Sequence, residues 1–190
     1  MQSKEEFLLS FIVIDCEAIP DRNINEILEL GACKVDKKNG HFYVSDTFSS
    51  LIKPTFHKKI PKRIVNLTHI SMDECKEAPN FEKVFFDFSK WAGDDPVFVA
   101  WGDNDRLWIK QNCRVRSLPH GWISYNYINY QRVYQKMLKR KKIDNLISLH
   151  SAAEQQGINF DTDKAHRALA DAYYCAEIFA KTYRKELMLS

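Results

Sequence analysis

The sequence predicts an α/β fold in which a mixed central β-sheet carries α-helices on its faces. Three observations predict it. Residues 11–14, Phe-Ile-Val-Ile, form an apolar run of strand-forming residues that ends in the acids Asp15 and Glu17. Two more strand-like segments follow, separated by the turn signal Lys37-Lys38-Asn39-Gly40, as in an antiparallel meander. From residue 81 onward, helical spacing alternates with short apolar runs.

Each element can be justified in turn. Residues 11–17 have the length and composition of a strand buried on both faces. Strand side chains alternate, so Asp15 and Glu17 share one face and Cys16 points to the other. Pro20 and its polar neighbours make residues 18–25 a loop. Residues 26–36 read as a second strand and residues 42–52 as a third, which Pro54 ends. Residues 55–80 suit short helices and a surface loop, with Ser71 and Glu74 spaced as a capping box. Apolar residues at 81, 84, 85, 88 and 91 predict a helix that Gly93-Asp94-Asp95-Pro96 breaks. Residues 97–100 make a short buried strand, 101–105 a turn, 106–113 a helix and 122–128 a further strand. Helices follow at 130–138 and 146–156, the second stopped by Gly157. Leu169, Ala172, Ala176, Phe179, Tyr183 and Leu187 mark a long C-terminal helix.

A chain of 190 residues, 45% hydrophobic and 28% charged, is that of an ordinary globular domain. With a net charge of +3, affinity for polyanions must come from local patches. No apolar run reaches membrane-spanning length, and the N-terminus lacks the features of a signal peptide. The five cysteines are odd in number and include no C-x-x-C pair, which argues for reduced thiols in a cytoplasmic setting and against zinc or a disulfide frame.

The chemistry is in the acids. Asp15 and Glu17, side by side at the end of a core strand, are costly unless a cation or proton offsets them. A divalent metal is the economical explanation. Asp105 follows the strand at 97–100, where α/β sheets place ligand-binding groups. Asp103 competes with it, and has a structural alternative as a helix N-cap; both acids also favour the helix dipole. Asp171 leads an apolar stripe with Cys175 and Ile178. His166 lies five residues earlier, and on one helix the two would diverge by about 140°. They can face one site only if His166 lies in the preceding loop or at the helix start. There it could act as a general base; the plainer alternative is an exposed histidine beside a buried, hydrogen-bonded acid. Four acids and a histidine at element ends fit magnesium better than zinc. Paired hard cations about 3.5–4 Å apart suit phosphodiester hydrolysis.

The motifs fall in a definite order: D-x-E at Asp15-Cys16-Glu17, E-x-x-E-x-G at residues 26–31, L-T-x-I at Leu67-Thr68-His69-Ile70, W-G-D-x-D at residues 101–105 and H-x4-D from His166 to Asp171. In that order and spacing the chain resembles the DEDD exonuclease superfamily with a histidine base, the RNase T-like or DnaQ-like exonucleases. The W-G-D-x-D form is similar to the branch of 3′-end exoribonucleases that act on small RNAs and histone-type stem-loops. The resemblance implies a ribonuclease H-like fold and a single exonuclease domain over residues 1–190, with its motif-bearing core at about 11–180. It implies 3′→5′ hydrolysis, by two Mg2+ or Mn2+ ions, that releases nucleoside 5′-monophosphates from a nucleic acid 3′ end, RNA before DNA. Asp15 would bridge both ions, Glu17 and Asp171 would bind the ion that holds the attacking water, Asp105 would support the second, and His166 would take the proton. Two departures stand out: Ala170 where the family often has an acid, and Ala18-Ile19-Pro20 where threonine or glycine is common.

A single-stranded 3′ end needs stacking surface and positive charge. Lys53, His57, Lys58, Lys59, Lys62 and Arg63 form one basic cluster, and Arg132, Lys136, Lys139, Arg140, Lys141 and Lys142 another. Either can equally be a solvated face. By resemblance, Ile19, Leu67 and Thr68 are candidates to contact the terminal nucleotide. Trp101 is expected in the core. His57, His69, His120 and His150 have no acid partner at a telling spacing and read as structural or surface residues. Rival readings are DNA as the substrate, or a nucleic-acid-binding module without catalysis. The oligomeric state is not legible.

Overall fold

A computed structural model of the chain describes residues 10–138, 146–161 and 165–184. Its sheet has five strands in the order β3-β2-β1-β4-β5. The strands β1 (Phe11–Ile19), β2 (Glu26–Lys38) and β3 (His41–Leu51) form the expected antiparallel meander. The tight turn between β2 and β3 uses Asn39 and Gly40, both at positive φ (52° and 83°), as a two-residue hairpin requires. The strands β4 (Val97–Ala100) and β5 (Tyr127–Asn129) add to the other edge, parallel to β1 and to each other.

Between β3 and β4 come α1 (Lys62–Thr68), α2 (Met72–Lys76) and α3 (Phe81–Ala92); the expected Ser71–Glu74 capping box opens α2. α4 (Asn104–Val115) and the single turn α5 (Trp122–Tyr125) lie between β4 and β5. α6 (Tyr130–Met137), α7 (Leu149–Gln155) and α8 (Ala168–Thr182) complete the described chain. Leu187, the last residue of the apolar stripe read from the sequence, lies outside the described residues. Among them, no helix is long and apolar enough to cross a membrane.

β1 is buried on both faces because the helices divide between them. Ile12, Ile14 and Cys16 pack with Phe81, Val84, Phe88 and Ile109 of α3 and α4. Phe11 and Val13 face the other way, against Cys175, Ala176 and Phe179 of α8 and Tyr130 and Tyr134 of α6. Each of the larger apolar side chains here, Ile, Val and Phe, contributes about 1.5–3 kcal/mol on burial. Trp101 joins this second core, beside Tyr130 and Tyr134, as expected. All five cysteines are buried and free.

Two boundaries differ from the sequence expectation. The strand expected at 122–128 is a helical turn followed by a three-residue strand. At the start of that turn Trp122 contacts Phe85, Phe88 and Phe98 together. The helix expected at 106–113 begins two residues earlier, at Asn104, which brings Asp105 into its first turn.

Candidate active site

β1 outruns its parallel partner. Its pairing with β4 covers Phe11, Ile12 and Val13, so Asp15 and Glu17 lie past the C-terminal end of β4, the edge where such sheets hold ligands. A register shift between β1 and β2 falls just after Glu17, and bulges of this kind re-aim side chains beside active sites. From the end of β4 the chain turns into α4. There Oδ1 of Asp105 accepts the backbone N–H of Cys16 at 3.0 Å, against the stretch of β1 that carries both acids.

The third contribution comes from the head of α8. His166 precedes the helix in a left-handed conformation, φ 61°, with its side chain exposed. Its backbone N–H donates to Oδ2 of Asp171 at 3.3 Å. Ligand atoms of Glu17, His166 and Asp171 lie within 4.8 Å of one another. The five-residue spacing thus works as it must: the histidine sits in the loop and the acid in the first turn. This close approach depends on Gly31 of β2. A Cβ built there would overlap the backbone of Ala168 and Leu169.

The carboxylates are crowded and poorly hydrated. Burial holds the Asp15 carboxyl well above the usual range, and Asp105, Glu17, Asp171 and Glu29 add to the shift. Glu17 is pushed up to about 8, first by burial, then by Asp171, Glu29 and Asp105, with Arg167 opposing. Asp105 rises to about 6 because burial outweighs its hydrogen bond from Cys16. Burial also raises Asp171, against the pull of His166. Acids pushed up together by burial and by each other call for protons or a cation.

The sequence profile of the RNase T exonuclease family matches residues 12–179, spanning all five of these side chains. The chain belongs to that exonuclease family. The chain is similar to the epsilon subunit of DNA polymerase III from Aquifex aeolicus, 32% identical over 174 residues, which cover 90% of this chain and 79% of that one. It is also similar to the PolC-type DNA polymerase III of Staphylococcus haemolyticus, 30% identical over 183 residues, but spans only 11% of that polymerase's length. Among solved structures, the nuclease domain of 3′hExo, a DEDDh family member bound to rAMP, superposes with a TM-score of 0.81 at 19% identity, covering 93% of this chain and 92% of that chain. The sheet and its flanking helices are accordingly ribonuclease H-like, as expected.

The family implies divalent metal ions, and this chain's own residues fit them. Oδ1 of Asp171 is buried with no hydrogen-bond partner among the described residues. A buried carboxylate oxygen left so is costly, and a cation supplies the missing contact. A donor set of carboxylate oxygens suits a hard divalent ion such as Mg2+ or Mn2+.

The weaker candidates divide. Leu67 is 45% exposed at the end of α1, whereas Ile19 and Thr68 are 1% exposed. Ile19 packs with Leu28, Ile64 and Ile70, and the Thr68 hydroxyl donates to the carbonyl of Ile64. Asp103 occupies the N-cap position of α4 but makes no side-chain cap bond. It instead pairs with Arg106 and Arg132, both at 3.1 Å. Of the basic clusters, Lys53, Lys58, Lys59, Lys62, Arg63, Arg132 and Lys136 are exposed; Lys139, Arg140, Lys141 and Lys142 lie outside the described residues. His57 is structural, as expected, but it does have an acid partner. Its Nδ1 lies 2.8 Å from Oε2 of buried Glu26, which also accepts the backbone N–H groups of Phe56 and His57 at 2.9 Å each. Glu29 and Arg167 carry no role in the sequence reading. The available signal was a pair of glutamates, Glu26 and Glu29, inside an apolar strand, where buried charges need partners.

Proposed function

We propose that this chain is a 3′→5′ exonuclease that removes nucleoside 5′-monophosphates from single-stranded ends, with two Mg2+ or Mn2+ ions held by Asp15, Glu17, Asp105 and Asp171. The observation that carries the reading is the meeting of Glu17, His166 and Asp171 within 4.8 Å beside the end of β1. Bound there, divalent ions lower the pKa of an attacking water and offset charge on the leaving oxygen. Asp15 and Glu17, which share one strand face, would hold the ions against the end of β1. Asp105, tied to the backbone of Cys16 between those two acids, would add a further carboxylate to the set. His166, on an exposed loop, takes the proton of the attacking water on a ring nitrogen. Leu67, exposed at the end of α1, is the residue we assign to contact with the terminal base.

RNA is the first substrate reading, supported by the W-G-D-x-D form at residues 101–105. DNA is the second, favoured by the 32% identity to a DNA polymerase III epsilon subunit. Side-by-side digestion of 5′-labelled single-stranded RNA and DNA of one sequence, with Mn2+, separates them. Faster shortening of RNA supports the first reading and faster shortening of DNA the second. If neither is shortened, the exonuclease proposal fails.

A further inference from the structure

Glu29 is a fifth acid at the edge of the site. It lies directly opposite Glu17 in the β1–β2 register and is 3% exposed. Like Asp15 and Asp105, it lies outside the group formed by Glu17, His166 and Asp171. Both of its oxygens are taken. Nη2 of Arg167 donates to Oε1 at 2.7 Å, and Nε of Arg167 donates to Oε2 at 3.0 Å. The backbone N–H of Ala168 also donates to Oε2, at 2.9 Å. A forked pair of charge-assisted bonds fixes orientation as well as distance.

The residues so held matter. Arg167 directly follows His166, and Ala168 is the first residue of α8. The N-cap side chain of α8 makes no cap bond, so a strand residue far away in sequence does that work for one of the helix's orphan N–H groups. His166 has a left-handed backbone, a conformation that persists only where the surroundings over-determine it. The clamp on the next two residues is one such constraint, and the contact of α8 with Gly31 is another.

We propose that Glu29 and Arg167 form a clamp of positioning residues: it aims His166 and Asp171 at Glu17, and it withholds Glu29 from the cation site. The kinetic part of the proposal rests on the exonuclease reading; the structural part does not. The test compares Glu29→Gln, Arg167→Gln and the double variant with the unaltered chain. Each single change should lower kcat by about 10–100-fold, the usual range for groups that orient metal ligands, with KM within about 3-fold. The double variant should be no slower than the slower single, because the pair acts as one unit. In the metal-free protein, amide hydrogen exchange at residues 166–171 should rise by roughly 10-fold in each variant, with exchange in β1 and β4 unchanged.

Losses that multiply in the double variant would overturn the clamp. So would unchanged exchange at 166–171. A raised KM at unchanged kcat would overturn it too, showing that Arg167 instead grips substrate from the groove of about 700 Å³ that it lines with Thr47, Ser49, His69 and Tyr173. If Glu29→Gln fails to fold, Arg167→Gln, at a part-exposed position, carries the same kinetic and exchange readouts. If the unaltered chain releases no nucleotide, the exonuclease reading fails, while the exchange measurement still decides the clamp.

Discussion

The backbone N–H of Cys16 donates to Oδ1 of Asp105 at 3.0 Å, joining residues 89 positions apart. The bond fastens the first turn of α4 to the stretch of β1 between Asp15 and Glu17. It separates two jobs of one side chain. Asp105→Asn keeps an acceptor for the N–H and removes the charge, so its melting temperature should not fall. Its turnover should drop by more than ~100-fold, since even outer partners of metal ligands cost ~10–100-fold. Asp105→Ala also strands a buried donor, at about 1–3 kcal/mol. Thermal unfolding and initial rates on the two variants check this; equal stability losses in both would show that the charge, not the hydrogen bond, holds α4 in place.

Gly31 sets how near α8 can come. A methyl group there would overlap the backbone of Ala168 and Leu169. Gly31→Ala should therefore destabilise by about 1–3 kcal/mol, as overpacked cores do. It should also slow turnover by roughly 10²-fold, because a shift of about 1 Å at a catalytic group has that effect. Urea denaturation and a rate measurement suffice. An alanine variant with unaltered stability would mean the helix does not rest on this glycine.

The raised carboxylates make stability depend on pH in a definite direction. Glu17 ionises near 4.5 when unfolded and near 8 in the metal-free fold, because burial and its acidic neighbours disfavour the charge. Between those values the unfolded chain holds fewer protons, so folding stability falls as pH rises through the window. Asp105, raised to about 6, acts in the same direction over a narrower range. The metal-free protein should melt at a lower temperature at pH 8 than at pH 5.5. Added Mn2+ should raise the melting temperature more at pH 8, where protons compete less for the carboxylates. Scanning fluorimetry at both values, with and without Mn2+, reads it directly; equal shifts would argue against a carboxylate cation site.

His166→Ala should reduce turnover by about 10²–10⁴-fold, the contribution of a general base. Mn2+ binding, followed by calorimetry, should persist through the acids. Loss of Mn2+ binding in this variant would make His166 a ligand rather than a base.

The parts of the fold built from local patterns were legible. β1 and β4 are apolar runs, α3 carries its apolar residues at helical spacing, and the Ser71–Glu74 cap is a local signature of two residues three positions apart. The requirement that His166 sit before the helix followed from angular spacing alone. What was not legible depends on partners distant in sequence. Nothing local says that Glu26 will collect donors from residues 55–57, or that Glu29 will be neutralised by Arg167. Asp103 reads as a helix cap because caps are local, but Arg106 and Arg132 compete for its oxygens with full charges. The difference at 122–128, a helical turn and a short strand in place of one strand, has the same origin. Its aromatic residues suit either conformation, and the cluster of Phe85, Phe88 and Phe98 around Trp122 decides.

The most direct test is a time course on a 5′-labelled single-stranded oligonucleotide with Mn2+, run on the unaltered chain and on Asp15→Ala. The unaltered chain should shorten the strand one nucleotide at a time from its 3′ end and release 5′-monophosphates, and Asp15→Ala should leave it intact. Comparable shortening by Asp15→Ala, or none by either protein, would contradict a cation cage built on the end of β1.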